Sequence, residues 1–122
     1  MTARLDDDVD AMFQALADRT RRDIVRRVLV DGLSVSELAE DYDMSFAAVQ
    51  KHVAVLERAG LVTKERSGRR QVTRADVGAI RTVRDLLGDL ELQWRDRVER
   101  IDALLAADDA DTTPPPRPGA EG

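Results

Sequence analysis

Residues 44–62 read MSFAAVQKHVAVLERAGLV, and one helical stripe runs through them. Val49, Val53 and Leu56 fall at i, i+4 and i+7, the spacing that stacks side chains on one face of an α-helix. Ser45 precedes the stripe, where a hydroxyl can accept one of the first unpaired N–H groups of a helix. Gly60 follows it, where helices commonly end on a left-handed residue. The spacing predicts a helix over about 45–59. Its 3.6-residue period turns Phe46, Ala47, Gln50, Lys51 and Ala54 outward.

Working outward, Ser34 and Glu37 form an S-x-x-E capping box that opens a preceding helix with Leu38, Ala39 and Tyr42 inward. Asp43-Met44-Ser45 is the tight turn between the two. Further upstream, Thr20 with Asp23 reads as a capping pair for a helix whose stripe is Ile24, Val25, Val28 and Leu29, stopped by Gly32. Val9, Met12, Phe13 and Leu16 mark a short first helix.

Downstream, LVTKER (61–66) and RRQVTR (69–74) flank Ser67-Gly68, which reads as the two-residue turn of a hairpin. From Asp76, an N-cap, to about Leu105 the helical pattern returns. Ile80, Val83, Leu87, Leu90 and Trp94 step by 3, 4, 3, 4, and Ile101 and Leu104 rejoin that seam. Arg97 takes the vacant seam position, with Val98 beside it. Gly88 leaves room for a kink or a break. The fold class is therefore mainly α with a two-stranded β-hairpin. It divides into an acidic leader (1–8), one domain (9–106), and a disordered acidic, Pro/Gly-rich tail (107–122).

Composition narrows the function. A chain of 122 residues with 35% charged and 3% aromatic residues builds one modest core from Leu, Val, Ile and Ala. There is no cysteine, which excludes disulfides, thiolate metal sites and cysteine nucleophiles. No apolar signal core opens the chain, and no apolar run reaches the ~18 residues of a membrane span, so a cytoplasmic protein away from membranes is expected. The formal charge of −5 is unevenly spread. Residues 19–74 hold twelve basic against eight acidic side chains, a net +4, while residues 1–18 carry −4 and residues 75–122 carry −5. At contact range the local patch outweighs the sum, because salt screens charges beyond ~10 Å.

FQALADRTRRDIV, LSVSELAEDYDMSFAAVQKHVAVLERAGLV and the charged hairpin together resemble the ArsR/SmtB family of winged helix-turn-helix transcription regulators, over about Val9 to Leu105. The resemblance implies a homodimer that binds a pseudo-palindromic operator in double-stranded DNA and represses its own or a neighbouring operon. It allows an effector that releases the DNA, an unknown small molecule or a partner protein. It implies terminal helices at the dimer interface, which assigns Val9 and Phe13 from the first and Ile80, Val83, Leu87, Leu90, Trp94, Val98, Ile101 and Leu104 from the last. Metal-sensing members carry a cysteine motif before the recognition helix, or His, Asp and Glu ligands on the last helix. Here the earlier helix reads SELAEDYD and the last helix has no histidine, so the likeness is to the non-metal branch, with no cofactor. Arg19 stands where proline is usual, and Phe46 where a polar residue is common.

On this reading, helix 45–59 enters the major groove and hairpin 61–74 is the wing. Ser45 bonds its own helix end or a phosphate. Gln50 suits the adenine N6/N7 edge, Phe46 and Ala47 suit thymine methyl groups, and Lys51 suits phosphate or guanine. Arg66, Arg69 and Arg70 reach phosphate or the minor groove. Thr20, Arg21 and Arg22 meet a phosphate at the start of the second helix.

Plainer readings stand beside these. Phe46 can shield the turn before its helix, and His52 sits one turn from buried positions, as a packed residue would. The hairpin arginines can be a solvated edge, and Trp94 is a dimer-core anchor before it is a ligand platform. No nucleophile–base set or phosphate-binding glycine loop is present, so an enzyme is not expected. A winged helix used only for protein–protein contact, or a ligand-responsive sensor of the same family, remains the alternative.

Overall fold

A computed structural model describes residues 2–111, with side chains placed for residues 6–108. The elements in order are α1 (Thr2–Leu16), α2 (Arg19–Val30), α3 (Val35–Glu40), α4 (Phe46–Arg58), β1 (Val62–Ser67), β2 (Arg70–Ala75) and α5 (Val77–Asp111). They divide into two compact units, with the boundary between Asp85 and Leu86. Among the described residues no helix is long and apolar enough to cross a membrane.

The first unit is built around α4. Val49, Val53 and Leu56 have no exposed surface and meet Ile24, Val25 and Val28 of α2 and Leu38 of α3. Met12 and Ala15 of α1, Leu61 and Val62 before and within β1, and Ala79 and Val83 of α5 close the core. Burying a Val or Leu side chain completely is worth about 1.5–3 kcal/mol. Three such anchors fix the rotation of α4 and thereby decide which of its residues face out.

The caps explain where the helices begin and end. Ser34 Oγ accepts from the Glu37 N–H at 3.1 Å while Glu37 Oε1 accepts from the Ser34 N–H at 2.9 Å, the reciprocal box that the sequence predicted. At the far end of α4, the Leu61 N–H reaches Leu56 O and the Gly60 N–H reaches Glu57 O, both at 3.0 Å. This is a Schellman closure, and it requires the left-handed φ of +78° that Gly60 adopts.

Several expectations change. The cap of α2 is Asp18, with extended backbone and Oδ1 accepting from the Arg21 N–H at 3.1 Å. Thr20 is already helical, so the Thr20–Asp23 pair is not the cap. Leu29 is 49% exposed rather than part of the buried stripe. Helix α2 ends because Asp31 turns extended, not on a left-handed Gly32; an added Cβ at Gly32 would meet the Arg74 guanidinium at 2.9 Å.

The hairpin turn is shifted by one residue. Ser67 pairs with Arg70, so the two-residue loop is Gly68-Arg69. Gly68 has φ +66° and Arg69 has none of that character, which fits a II′ turn with glycine in its first central position. Strand β2 also holds a partner outside the hairpin. Thr73, nearly fully buried, exchanges backbone bonds with Leu33 at 2.7 and 3.2 Å, tying the wing to the α2–α3 link.

Helix α1 starts within the expected leader, and Asp6, Asp7 and Asp8 are exposed on it. Helix α5, capped by Asp76 (Ala79 N–H to Oδ1, 3.2 Å), is continuous through Gly88 and runs to Asp111, into the stretch expected to be a tail. Residues 112–122 lie outside the described residues.

Candidate nucleic-acid interface

The N-terminus of α4 is prepared by its cap. Ser45 Oγ accepts from the Ala48 N–H at 3.1 Å, which leaves the hydroxyl proton free for an external acceptor. Ala47, Gln50 and Lys51 are exposed, as the buried stripe requires. Phe46 is 48% exposed and is not among the side chains packed on the core. Ala54 is partly buried. His52 is also partly buried, and its Nδ1 accepts from Arg21 Nη1 at 3.4 Å, a packed side chain rather than an outward one.

The segment before α4 is clamped to α2. The Tyr42 hydroxyl donates to Asp23 Oδ2 at 2.5 Å, and the Arg27 guanidinium lies 5.4 Å over the Tyr42 ring while Nη2 donates to Asp41 Oδ2 at 2.5 Å. Burial, and then the Asp23 carboxylate, push the Tyr42 hydroxyl above its ordinary value of 10.0, so it stays a donor. These contacts tie the α3–α4 turn to α2. Sequence reasoning missed them because they join residues 14 or more positions apart; a tyrosine directly before the D-x-S turn is the one local signal.

The wing arginines separate into two classes. Among the described residues Arg66 and Arg69 are exposed with no carboxylate partner, and Arg69 sits in the turn itself. Arg70 instead pairs with Glu37, and Arg74 donates from Nε to Glu65 at 2.9 Å. The Ser34 N–H, with Arg70 adding to it, holds the Glu37 carboxyl below the ordinary 4.5. One carboxylate thus caps α3 and tethers the wing.

Thr20, Arg21 and Arg22 are together at the start of α2, but not equally available. The Arg21 side chain is 19% exposed, with Nε donating to Ala15 O at 2.6 Å and Nη2 to Gln14 O at 3.2 Å. Its guanidinium thus meets the last carbonyls of α1. Arg22 gives one bond to Leu16 O at 2.8 Å and is otherwise exposed. Asp18 has its carboxyl held below 3.8, first by the Arg21 N–H.

The expected interface residues also separate. Val83 lies in the chain's own core and Ile80, partly buried, packs against it. Val9 and Val98 are partly buried and Phe13 is 39% exposed, whereas Leu87, Leu90, Trp94, Ile101 and Leu104 stand between 45% and 70% exposed along α5. Among the described residues no group of three His, Cys, Asp or Glu side chains converges as a metal site would.

A helix-turn-helix domain model matches residues 16–65. The chain is 37% identical over 103 residues to the HTH-type transcriptional regulator Rv2034 of Mycobacterium tuberculosis, covering 84% of this chain and 94% of that protein. Among solved structures it resembles an ArsR-like transcriptional regulator from Rhodococcus sp. RHA1, with TM-score 0.71, 28% identity, and 80% and 92% of the two chains covered. In fold it also resembles the homodimeric winged helix-turn-helix DNA-binding domain of a possible ArsR-family regulator from Mycobacterium bovis, with TM-score 0.60, 24% identity, and 73% and 83% covered.

Proposed function

The chain belongs to the ArsR family of winged helix-turn-helix transcriptional regulators, and from that premise we propose that it binds an operator as a homodimer and represses its own or a neighbouring operon. The observation that carries this reading is α4. Three fully buried anchors hold its stripe, and Phe46, Ala47, Gln50 and Lys51 face out from its first turns. The N-terminal part of a recognition helix is what meets base edges in the major groove. Gln50 matches adenine, and Phe46 with Ala47 matches thymine methyls, so A·T pairs in each half-site are favoured.

Affinity comes from elsewhere. Among the described residues Arg66 and Arg69 have no ion pair to break, so a phosphate gains their charge at no internal cost. Dimerisation follows from α5, whose 3-4 seam of Leu87, Leu90, Trp94, Ile101 and Leu104 is exposed in the single chain. A symmetric dimer reads a pseudo-palindrome. A face used only for protein contact would be apolar or acidic; this one carries Gln, Lys and Arg.

The test is binding to a fragment of the gene's upstream region at several salt concentrations. Log affinity should fall against log salt with a slope of about −0.9 per phosphate contacted, and specific DNA should outcompete random DNA. A flat response, or no preference, sinks the reading.

A further inference from the structure

A second group of cations lies on α2. Arg19, Arg22 and Arg26 fall at i, i+3 and i+7 on the face opposite Ile24, Val25 and Val28, and they line an open cleft of about 520 Å³ with Thr20, Asp23 and Tyr42. Arg19 is exposed and has no carboxylate partner among the described residues. Arg22 gives one bond to a carbonyl and keeps its other donors. Arg26 is held only loosely, 3.4 Å from Asp23 Oδ1, with its side chain 74% exposed. The one carboxylate lining the cleft is already used on both oxygens, by Arg26 and by the Tyr42 hydroxyl. The first turn of α2 adds no acid beyond the cap Asp18, whose carboxylate is already engaged by the Arg21 N–H and guanidinium, so the cleft lining keeps a net positive charge.

The place of the cleft identifies the anion. Tyr42 forms its wall and lies three residues before Ser45, the cap of α4. We infer that Arg19, Arg22 and Arg26 form a second phosphate ridge, which grips the DNA backbone bordering the groove that α4 enters. The inference rests on the DNA-binding reading. Seven residues of helix span about 10 Å, and phosphates follow one another at about 3.4 Å of axis along a strand, so the ridge meets two or three of them. These contacts carry no base information. They add to the phosphates held by Arg66 and Arg69 of the wing, and they give affinity in a salt-dependent form.

The experiment uses the full chain with Arg19→Gln and Arg26→Gln together, since neither side chain bonds the backbone of another element. Binding to the upstream fragment and to random DNA is titrated from low to high salt, and a thermal melt checks the fold. The salt slope should become shallower by about 3.6, two phosphates' worth in each of the two protomers, with specific and random DNA weakened alike. An unchanged slope with DNA binding intact overturns the ridge but leaves the regulator reading standing. Failure of the unmodified chain to bind DNA overturns both. A parallel melt with inorganic pyrophosphate separates the sources: stabilisation lost in the variant, beside an unchanged DNA slope, assigns the cleft to a free oxyanion and overturns the DNA contact.

Discussion

Arg21 Nε donates to the Ala15 carbonyl at 2.6 Å, so a side chain of α2 closes the C-terminus of α1. Its Nη2 reaches Gln14 O, and Arg22 Nη1 reaches Leu16 O. The last four carbonyls of a helix have no internal donor, and a cation is favoured beside them. Bonds to a charged donor are worth about 1.5–3 kcal/mol. Arg21→Ala should therefore lower the melting temperature by roughly 10 °C, at about 4–8 °C per kcal/mol for a domain of this size. The salt slope of DNA binding should not move. Normal melting with a shallower slope would return Arg21 to the phosphates.

The wing and the recognition helix should fail in different ways. Arg69→Ala removes an uncommitted charge at the hairpin turn of each protomer and should weaken specific and random DNA together, with a slope shallower by about 1.8. Gln50→Ala removes a base-edge partner and should cost about 1–3 kcal/mol in each half-site of the best operator while leaving random DNA unchanged. Competition titrations read both. Identical behaviour of the two variants would dissolve the division between affinity and discrimination.

Much of this architecture was legible because its signals are local. The Ser34–Glu37 box, the Ser45 cap and the Gly60 closure each lie within a few residues and were read where they stand. The misreadings share a cause: each was decided by a partner far along the chain or by a difference of one or two residues. Thr20 and Asp18 are both good caps, and only the observed start of α2 separates them. Gly68 could have been the first or second turn residue, and moving it places Arg69 in the turn rather than beside it. Spacing alone also does not show that Val83, which fits the seam, is buried in the chain's own core. Which arginines are free is least legible of all, since Arg21 and Arg70 find partners 6 and 33 residues away.

Helix α5 offers a direct test of self-association. Leu90 and Trp94 are 53% and 63% exposed in the single chain and lie one turn apart on the seam. Central aromatic anchors of an interface typically cost about 2 kcal/mol or more on truncation. A symmetric dimer loses each contact twice, so Trp94→Ala should raise the dimer dissociation constant by about a thousandfold, at about 1.4 kcal/mol per decade. Sedimentation velocity at micromolar concentration should show monomers. A persistent dimer puts the interface elsewhere.

Asp18 gives the fold an acid limit. Its carboxyl is held below the ordinary 3.8 by the Arg21 N–H, so its contribution is complete above that value and is lost as pH falls through the lowered folded one. The substitution Asp18→Asn keeps a cap acceptor at this position but removes the titrating proton. Stability of the variant and the unmodified chain should run together from about pH 5 to 8, and below about pH 4 the unmodified chain should fall more steeply. Denaturant melts across that range read the difference, and parallel curves throughout would mean that the Asp18 charge contributes nothing.

Glu37 couples two tasks that a single substitution can separate. Its carboxylate accepts from the Ser34 N–H and also pairs with Arg70 of β2. Glu37→Gln should keep the cap, since a capping box tolerates glutamine, while removing the charge that holds Arg70. The melt should be close to that of the unmodified chain. DNA binding, however, should strengthen on all sequences and steepen in salt by about 1.8, because Arg70 becomes a third uncommitted cation on each protomer's wing beside Arg66 and Arg69. The carboxyl sits below its ordinary 4.5, so the tether holds from neutral pH down to about that value and acidification within that range should not mimic the variant. An unchanged slope in Glu37→Gln would mean that Arg70 serves only to fasten the wing to α3.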